Sequence, residues 1–377
     1  MESKSWIYLN EVDEATLADG VRRVTQGGND LLALVAEADS DAIARLQLVA
    51  RELGQRVYGA VVPGLVMGGG FRRRGILMVP LGHGAAAQLI SLPKRDGRTS
   101  EVAIEELAAF AIDRANPQGG DTLFLLVDAT ILDIASLVDR LYAITGDQLN
   151  YAGSCVGSES FKRVPCVFDD QVVAEEAALA IVLKAHPGAT LAHHYEGGAA
   201  DRVASTAKGN CVDRIDGRPA FDVYRELMAR EYGIELDREN FYRYAVHFPF
   251  AVNRAQGEPL VRIPIQVGEN GSVVCFGEIR ENALLGVVRA VPPGDTSTAQ
   301  AVGKDGQSAA HSSVLAFYCA GRLLHLNEEA AVNELLELER TVSPKPLYGA
   351  LSLGEIGSDR QLYPAFHNAT IVALPWA

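Results

Sequence analysis

The sequence predicts a mixed α/β protein, in which a duplicated βαββ-type N-terminal domain precedes a mixed α/β C-terminal domain. Short apolar runs alternate with amphipathic helical patterns along the chain, as in proteins whose helices pack on sheets. A weak internal repeat of about ninety residues, too long for a solenoid, indicates the duplication. The chain has 377 residues, 48% hydrophobic and 22% charged, which is enough for two domains with sizeable cores.

The first repeat begins with an amphipathic helix over 14–24 and a buried strand over 31–36. Ser40 is a suitable N-cap for a second helix over 41–53, and Gly54 ends that helix. The strands that follow share high β-propensity and are predicted over 57–62, 76–81 and 87–92.

The second repeat has the same order of elements. They are a helix over 100–115, a strand over 123–127, a helix over 131–142, and strands near 164–168 and 177–183. Gly54 and Gly146 end corresponding helices, and Gly59 and Gly153 precede corresponding turns. We therefore expect two similar mixed sheets, each covered by helices.

The C-terminal half begins near residue 219. Its predicted helices lie over 220–232 and 328–342, and its strands near 242–250, 260–267, 272–276, 284–290, 314–318, 349–353 and 370–374. In the second helix, the periodicity places Val332, Leu335 and Leu336 inward, and it places Glu329, Glu334 and Glu337 outward.

The net charge of −14 argues against binding to nucleic acid or to an anionic membrane surface, because both would repel an acidic protein. The longest stretch without charges, 75–93, contains prolines and glycines and reads as two strands with a turn, so no membrane span is predicted. Five scattered cysteines without a CxxC pair exclude a disulfide framework and fit the reducing cytoplasm.

Nucleotide and metal motifs are missing from the sequence. It has no GxxxxGK[ST] loop, no GxGxxG after a strand, and no HExxH. The one histidine pair, His193 and His194, is expected to have one buried and one exposed ring, since neighbouring side chains of a strand point to opposite faces. We predict no metal site.

Two glycine-rich motifs have both a structural and a functional interpretation. The segment 153–157, GSCVG, has the letters of a nucleophile elbow around Cys155, but a strand follows it where an elbow needs a helix, which favours a tight turn. The segment 68–74, GGGFRRR, is the densest basic patch, and it is interpreted as a hairpin tip or as a contact for phosphate or an acidic partner.

Polar residues gather in three C-terminal stretches that lie at predicted strand ends. Together they supply a thiol, a cation, hydroxyls, a carboxylate, an imidazole and an amide, from Cys319, Arg322, Ser352, Glu355, His367, Asn368 and Thr370. That inventory suits a pocket for a polar or zwitterionic small molecule. The structural alternative is a buried ion pair between Arg322 and Glu355, with Asn368 capping backbone groups.

These stretches resemble the FIST family, the paired FIST N and FIST C sensory domains of prokaryotic signal transduction. The resemblance rests on FDVY at 221–224, FPF at 248–250 followed by Arg262, FYCAGR at 317–322, YG at 348–349 leading to GEIG at 354–357, and HNAT at 367–370. It implies a FIST N-like domain over 29–218 and a FIST C-like domain over 219–374.

The resemblance implies a cytoplasmic, non-catalytic sensor of a small ligand such as an amino acid. No kinase or cyclase segment follows Trp376, so the ligand state is expected to pass to a separate signalling protein, such as a histidine kinase. Some members resemble haem-based nitric-oxide sensors that act on a partner kinase. The polar turn usual in the family is replaced here by residues 59–64, and the apolar stretch 61–66 would suit such a macrocycle.

No cofactor is predicted, and haem remains the alternative, with a His or Cys as its axial ligand. A further alternative is a cysteine-dependent enzyme that uses Cys155 or Cys319, with His325 or His367 as the base.

Overall fold

A computed structural model describes residues 6–26, 28, 30–198, 201–255, 257–305, 311–358 and 363–376. Its α-helices are α1 (Glu14–Val24), α2 (Ile43–Glu52), α3 (Glu101–Arg114), α4 (Ile134–Thr145), α5 (Ala220–Tyr232), α6 (Phe241–Ala245), α7 (Ser297–Asp305), α8 (Ala320–Leu326) and α9 (Glu328–Val342). Short 3-10 turns lie at Glu37–Ala42 and Gly146–Gln148.

The strands, in chain order, are β1 (Ile7–Leu9), β2 (Leu31–Ala36), β3 (Val57–Val62), β4 (Leu65–Met67), β5 (Gly70–Arg72), β6 (Ile76–Pro80), β7 (Ala86–Ser91), β8 (Lys94–Arg95), β9 (Arg98–Thr99), β10 (Asp121–Asp128), β11 (Leu149–Val156), β12 (Val167–Phe168), β13 (Val173–Ala174), β14 (Ala177–Leu183), β15 (Thr190–Ala192), β16 (Arg202–Lys208), β17 (Cys211–Ile215), β18 (Arg218–Pro219), β19 (Phe250–Val252), β20 (Leu260–Val267), β21 (Val273–Phe276), β22 (Leu284–Val287), β23 (Ser313–Cys319), β24 (Leu347–Ser352), β25 (Glu355–Gly357), β26 (Ala365–His367) and β27 (Ile371–Trp376). The mixed α/β class predicted from the sequence is confirmed.

The predicted repeat is present, and it occurs three times rather than two. Each unit consists of an edge strand, a helix, a central strand, a second helix region, a strand parallel to the central one, and a closing antiparallel strand. The central and parallel strands are β2 and β3, then β10 and β11, then β23 and β24. The closing strands are β6, β14 and β27, each of which pairs with the edge strand of its own unit. The third unit lies in the C-terminal half.

The three units exchange strands in a ring. A hairpin leaves each unit after its parallel strand and joins the sheet of another unit: β4 pairs with β24, β12 with β3, and β25 with β11. Backbone hydrogen bonds also join the units where these hairpins depart, including Gly157 N to Val61 O and Leu351 N to Gly64 O, each at 2.8 Å. Each sheet is therefore complete only when a second unit contributes its hairpin, and the ring of exchanges links all three units.

One apolar core lies between the three sheets. It contains side chains of every unit, among them Leu34, Phe124 and Phe317. The ring of Phe124 packs against Phe317 at 5.8 Å and against Trp376 at 5.7 Å between centroids. The Trp376 indole N–H donates to the carbonyl of Pro80 at 2.9 Å, which joins the third unit to the first.

A closed barrel is inserted into the third unit between β15 and α7. Its strands follow the order β16, β22, β19, β20, β21 and β17, and β17 pairs back with β16. Helices α5 and α6 cover a separate core that contains Phe221 and Phe250. Because the insertion separates the edge strand of the third unit from its first helix, that unit does not follow the ninety-residue period of the other two.

Two local predictions are wrong, one for a strand in the C-terminal half and one for the N-cap of α2. Residues Phe241–Ala245 form helix α6 rather than a strand, because Phe241 and Ala245, one helical turn apart, are buried while Tyr242 is exposed. Ser40 lies inside the 3-10 turn Glu37–Ala42 and does not cap α2, which begins at Ile43 without a side-chain cap.

Each unit requires a glycine in its parallel strand. At Gly59, Gly153 and Gly349, a Cβ atom would lie 2.1, 2.2 and 1.7 Å from a carbonyl oxygen of the central strand. No side chain can move to relieve this contact, since the clash is with backbone. These glycines explain the spacing that the sequence repeat shows.

We expect Gly349→Ala to lower the free energy of unfolding by about 1–3 kcal/mol, because the added methyl group forces apart two paired strands of the third unit. Urea unfolding followed by circular dichroism measures this loss. Gly70→Ala is the control, because the nearest atom to a Cβ at that strand position is 3.7 Å away. Equal stability of the two variants would contradict the assignment of Gly349 as a close-approach position.

Candidate ligand-binding site

A buried carboxylate holds the start of the closing strand in every unit. In the first unit, Asp39 accepts a hydrogen bond from Gly75 N at 2.6 Å; in the second, Asp128 accepts one from Glu176 N at 2.8 Å. In the third unit, Glu355 accepts one from Thr370 N at 3.3 Å. Gly75, Glu176 and Thr370 each directly precede the closing strand. Asp39 and Asp128 follow or end the central strand of their units, whereas Glu355 begins the exchanged strand β25, so the same backbone position is bound from a different element in the third unit.

Two hydroxyl groups complete the shell around the Glu355 carboxylate. Ser352 Oγ donates to one carboxylate oxygen and Thr370 Oγ1 donates to the other, each at 2.5 Å. The Cys319 thiol is a further hydrogen-bonding neighbour. Burial raises the pKa of Glu355 to about 7, although these hydrogen bonds act in the opposite direction. Four of the seven predicted residues thus form one buried cluster.

Cys319 ends β23 and lies between this cluster and a cavity. Its sulfur accepts a hydrogen bond from Ala369 N at 3.2 Å. Burial raises the pKa of the thiol well above its ordinary value, and the nearby Glu355 adds to that shift. The thiol therefore stays protonated at neutral pH, which does not favour its use as a nucleophile.

Arg322 lies elsewhere, and the predicted pairing with Glu355 is wrong. Its guanidinium forms a bidentate ion pair with Glu334, at 2.8 Å from Nε and 2.6 Å from Nη2. The remaining donors bind the carbonyls of His193 and Ala369 and the hydroxyl of Thr298. Burial alone would lower the pKa of Arg322, but the Glu334 carboxylate raises this pKa above its ordinary value. With all five N–H groups bonded, Arg322 has no donor left for a ligand.

The neighbours His367 and Asn368 have different surroundings. The His367 ring is buried, its Nε2 lies 3.3 Å from the carbonyl of Gly357, and burial lowers its pKa to about 3. Asn368 is 1% exposed; its amide nitrogen donates to the His367 carbonyl, but its Oδ1 has no hydrogen-bond partner among the described residues. A buried amide oxygen without a donor is costly, and it indicates a missing partner.

Asn368 and Cys319 border a cavity of about 560 Å³, which we name the apolar cavity. Of the seven predicted residues, these two alone line it; Arg322, Ser352, Glu355, His367 and Thr370 do not. None of the seven lines the larger hollow of about 1030 Å³ beside β15. The predicted convergence of guanidinium, carboxylate and amide on one hollow is therefore limited to the amide.

Large apolar side chains form most of the wall of the apolar cavity. Among the described residues, five of the large hydrophobic side chains that are most exposed to solvent lie here: Leu132, Phe161, Tyr242, Ile265 and Leu324. Exposed apolar side chains that gather at one concave surface mark a binding site. Sequence reasoning missed all five, because they come from segments far apart in the chain and none belongs to a motif.

The rim of the apolar cavity carries an excess of positive charge. Lys94 and Arg163 lie 3.4 and 2.9 Å from the same carboxylate oxygen of Glu176. Glu176 itself does not line the cavity, and the carboxylate that does, Glu159, is 3.1 Å from Arg73, which lies outside it. Two cations that share one carboxylate leave the mouth favourable for an anionic group.

The other sequence motifs have structural roles. Cys155 is a buried residue of strand β11, and among the described residues no histidine is hydrogen-bonded to Cys155 or Cys319. His325, a proposed base, instead lies 2.6 Å from the ring of His247. His193 is buried, as predicted, whereas His194 is half-buried rather than exposed, and neither lies in a strand.

The basic segment 68–74 is a hairpin tip, in agreement with the structural interpretation. Arg73 pairs with Glu159 at 3.1 Å and Arg74 pairs with Asp39 at 2.6 Å. The stretch 61–66, proposed to suit a haem, consists of strand and turn residues that are fully buried in the core, so it lines no macrocycle pocket. This part of the haem prediction is wrong.

Within the described part of the chain, no group of three or more His, Cys, Asp or Glu side chains is arranged to hold a metal ion. In the same residues, every helix is too short or too polar to cross a bilayer.

Comparison with known families gives two matches. The model described as FIST N domain matches residues 30–218, and the model described as FIST C domain matches residues 220–358. The boundary between them falls inside the inserted barrel, next to β18. The second match includes Cys319 and Glu355, whereas Asn368 lies beyond its end. None of the curated proteins compared with the chain matches it.

Proposed function

Because the chain belongs to the FIST family, whose domains are sensory domains of signal transduction, we propose that it is a non-catalytic sensor of a small molecule that binds in the apolar cavity. One observation carries the proposal: exposed apolar walls surround a cavity bordered by Asn368, whose buried Oδ1 has no donor among the described residues.

The cavity is placed to convert binding into a structural change. Ala129 and Phe161 belong to the second unit, Ile263 and Phe276 to the barrel, and Cys319 to the third unit. A ligand that touches all three parts binds best to one arrangement of them. Such differential affinity is what a ligand needs in order to shift a conformational equilibrium.

The lining indicates the chemistry of the ligand. The walls suit an apolar body, the rim cations suit an anionic end, and Asn368 Oδ1 suits an N–H or O–H donor. Among the amino-acid-like ligands implied by the family resemblance, those with a large apolar side chain fit this lining best. We therefore propose an amphipathic metabolite of that kind.

We propose that the ligand state passes to a separate signalling protein, such as a histidine kinase, in the cytoplasm. The absence of disulfides among the five cysteines is compatible with that compartment. Leu324 and Tyr242, which are more than half exposed at the cavity mouth, change their exposure when a ligand covers them. A partner that contacts this mouth would thus distinguish the two states.

The haem and enzyme alternatives gain less support. No histidine lines the apolar cavity among the described residues, and its one thiol, Cys319, is held protonated by burial. A haem thiolate and a catalytic thiolate both require the deprotonated sulfur.

Binding of anilinonaphthalene sulfonate tests the proposal, because its aromatic body and sulfonate match the walls and the rim. We expect a saturable rise in its fluorescence with the native protein. In Leu324→Glu, a charge replaces an apolar wall residue, and affinity should fall about tenfold, as expected for the loss of one buried leucine contact.

Leu48→Glu is the matched control, since Leu48 is exposed on α2 outside the cavity. It should bind the dye as the unmodified protein does. Unfolding temperatures of both variants show whether the fold is intact. The proposal fails if Leu324→Glu keeps its fold and binds the dye with unchanged affinity.

A further inference from the structure

Arg262 is a buried cation without a counterion. It lies on barrel strand β20 and is 2% exposed, yet no carboxylate of a described residue lies within 4.0 Å of its guanidinium. Burial lowers its pKa to about 10, although Glu278 and Asp139 raise it from a distance, so the group remains charged at neutral pH. A buried charge without a partner is costly.

The hydrogen bonds of Arg262 leave one side of the guanidinium unused. Its Nε donates to the Glu278 carbonyl at 2.9 Å, and its Nη1 donates to the carbonyls of Val261 and Phe366. Its Nη2 donates to no described residue. Gly277, with a φ of +92°, leaves room for the side chain, since a Cβ there would lie 3.1 Å from Arg262 Cδ. The backbone thus holds the guanidinium in a fixed orientation.

Arg262 lines a cavity of about 380 Å³ together with Arg254, which forms no ion pair with a carboxylate of a described residue. The guanidinium of Arg254 lies 4.9 Å above the ring of Tyr363, and its Nη2 donates to the Tyr363 carbonyl at 3.4 Å. Its buried Nε has no hydrogen-bond partner in the described chain. We name this space the arginine cavity. It lies between the barrel, helix α4 and strand β26.

The carboxylates around the arginine cavity are engaged with other groups. Asp139 pairs with Arg280. Both carboxylate oxygens of Glu278 accept hydrogen bonds from Ser136, one from the backbone N at 2.7 Å and one from Oγ at 2.6 Å. The third, Glu281, is exposed at the rim. Arg254 and Arg262 therefore repel each other across this space, and the carboxylates of Asp139 and Glu278 attract Arg262 only from beyond 4.0 Å.

We propose that the arginine cavity binds a small molecule through a carboxylate or phosphate group held between Arg254 and Arg262. Paired guanidinium groups with free N–H donors match the oxygens of such an anion. Adjacent side chains of a strand point to opposite faces, so Arg262 faces this cavity while Ile263 lines the apolar cavity. The protein then has two ligand sites, one on each side of β20.

Thermal unfolding of the full chain tests this site, with inorganic phosphate and succinate as probes and sodium chloride at equal ionic strength as reference. We expect at least one probe to raise the unfolding temperature in a saturable manner, because an anion that binds the folded state stabilises it by mass action. A response to phosphate alone, to succinate alone or to both identifies the group that the site accepts.

Arg254→Gln should raise the half-saturating concentration of the probe about tenfold, as expected for the loss of a charge-assisted hydrogen bond. Arg225→Gln is the matched control, because Arg225 also stacks on an aromatic ring, that of Phe221 at 5.8 Å, but lies outside the cavity. Arg262→Gln should behave as Arg254→Gln does; if it does not fold, Arg254→Gln decides.

The inference is overturned if neither probe exceeds sodium chloride, or if Arg254→Gln responds as Arg225→Gln does. Dye binding in the apolar cavity should be unchanged in Arg254→Gln, so failure of this site and failure of the proposed sensor function give different results.

Discussion

Glu334→Ala is expected to lower the free energy of unfolding by about 3–5 kcal/mol, because it leaves the Arg322 guanidinium buried without its counterion. Arg322 and Glu334 have side-chain exposures of 0% and 1%, and two parallel hydrogen bonds join them. Tyr318 also donates to Glu334 at 2.7 Å and would lose its acceptor. Urea unfolding measures the loss.

Glu337→Ala provides the matched control on the same helix, since Glu337 pairs with Arg340, whose side chain is 71% exposed. Loss of this pair should cost only a small part of the Glu334 effect, because the arginine remains solvated. The double variant Arg322→Met/Glu334→Leu removes both charges and should recover much of the stability. A cost for Glu334→Ala no larger than that for Glu337→Ala would show that Arg322 finds another partner.

The Arg322–Glu334 pair also shows where sequence periodicity is insufficient. The sequence predicts Glu334 on the outer face of α9 and Leu336 on the inner face, whereas Glu334 is buried and Leu336 is 47% exposed. Hydrophobic periodicity assigns every carboxylate to solvent, because it contains no information about a cation brought from another segment. Arg322 was identified as a notable residue, but its partner could not be.

The fold was predictable where one segment contains its own signals. Helix α1 and strands β2 and β3 have the predicted bounds, because apolar periodicity and terminal glycines mark them locally. The third unit was missed, although Tyr348-Gly349-Ala350 repeats Tyr58-Gly59-Ala60. The inserted barrel breaks the period, and the exchange of hairpins between sheets is a long-range pairing that no local pattern contains.

In the candidate site, too, the sequence predicts the residues that local signals mark and misses those that depend on long-range contacts. Cys319, Ser352, Glu355 and Thr370 were predicted as neighbours from their places at strand ends, and they do meet in one cluster. The apolar walls of the cavity and the cation at Arg262 were not predicted as parts of a site. An exposed leucine and a buried arginine become informative only when the surrounding residues are known.

The pH dependence of stability should reveal Glu355. Its pKa is about 7 in the folded protein, against an ordinary value of 4.5, because the carboxyl group is buried. The folded state therefore holds a proton that the unfolded state releases between these values. The contribution of this group to stability is fully present below pH 4.5 and is lost as pH rises through 7, with a total of about 3 kcal/mol.

Glu355→Gln removes that titration. Its amide disrupts the hydrogen bonds to Ser352 and Thr370 at every pH, which lowers the free energy of unfolding by a constant amount. The informative quantity is therefore how the stability difference from the unmodified protein changes with pH. Between pH 5 and pH 8, this difference should move in favour of the variant by about 2.5 kcal/mol, because only the unmodified protein must bury an ionised carboxylate at the higher pH. Urea unfolding at several pH values measures it.

Asp39→Asn is the control, because Asp39 also accepts a hydrogen bond from the residue that precedes the closing strand of its unit. Burial alone would raise the pKa of Asp39, but hydrogen bonds from Arg74 and Gly75 hold it below its ordinary value of 3.8. Its contribution to stability is therefore present above pH 3.8 and lost only as pH falls below that value, so the variant difference should be constant from pH 5 to pH 8. If Glu355→Gln gives the same flat profile, Glu355 is ionised in the folded protein throughout this range, and the carboxylates of the two units differ in neither charge nor role.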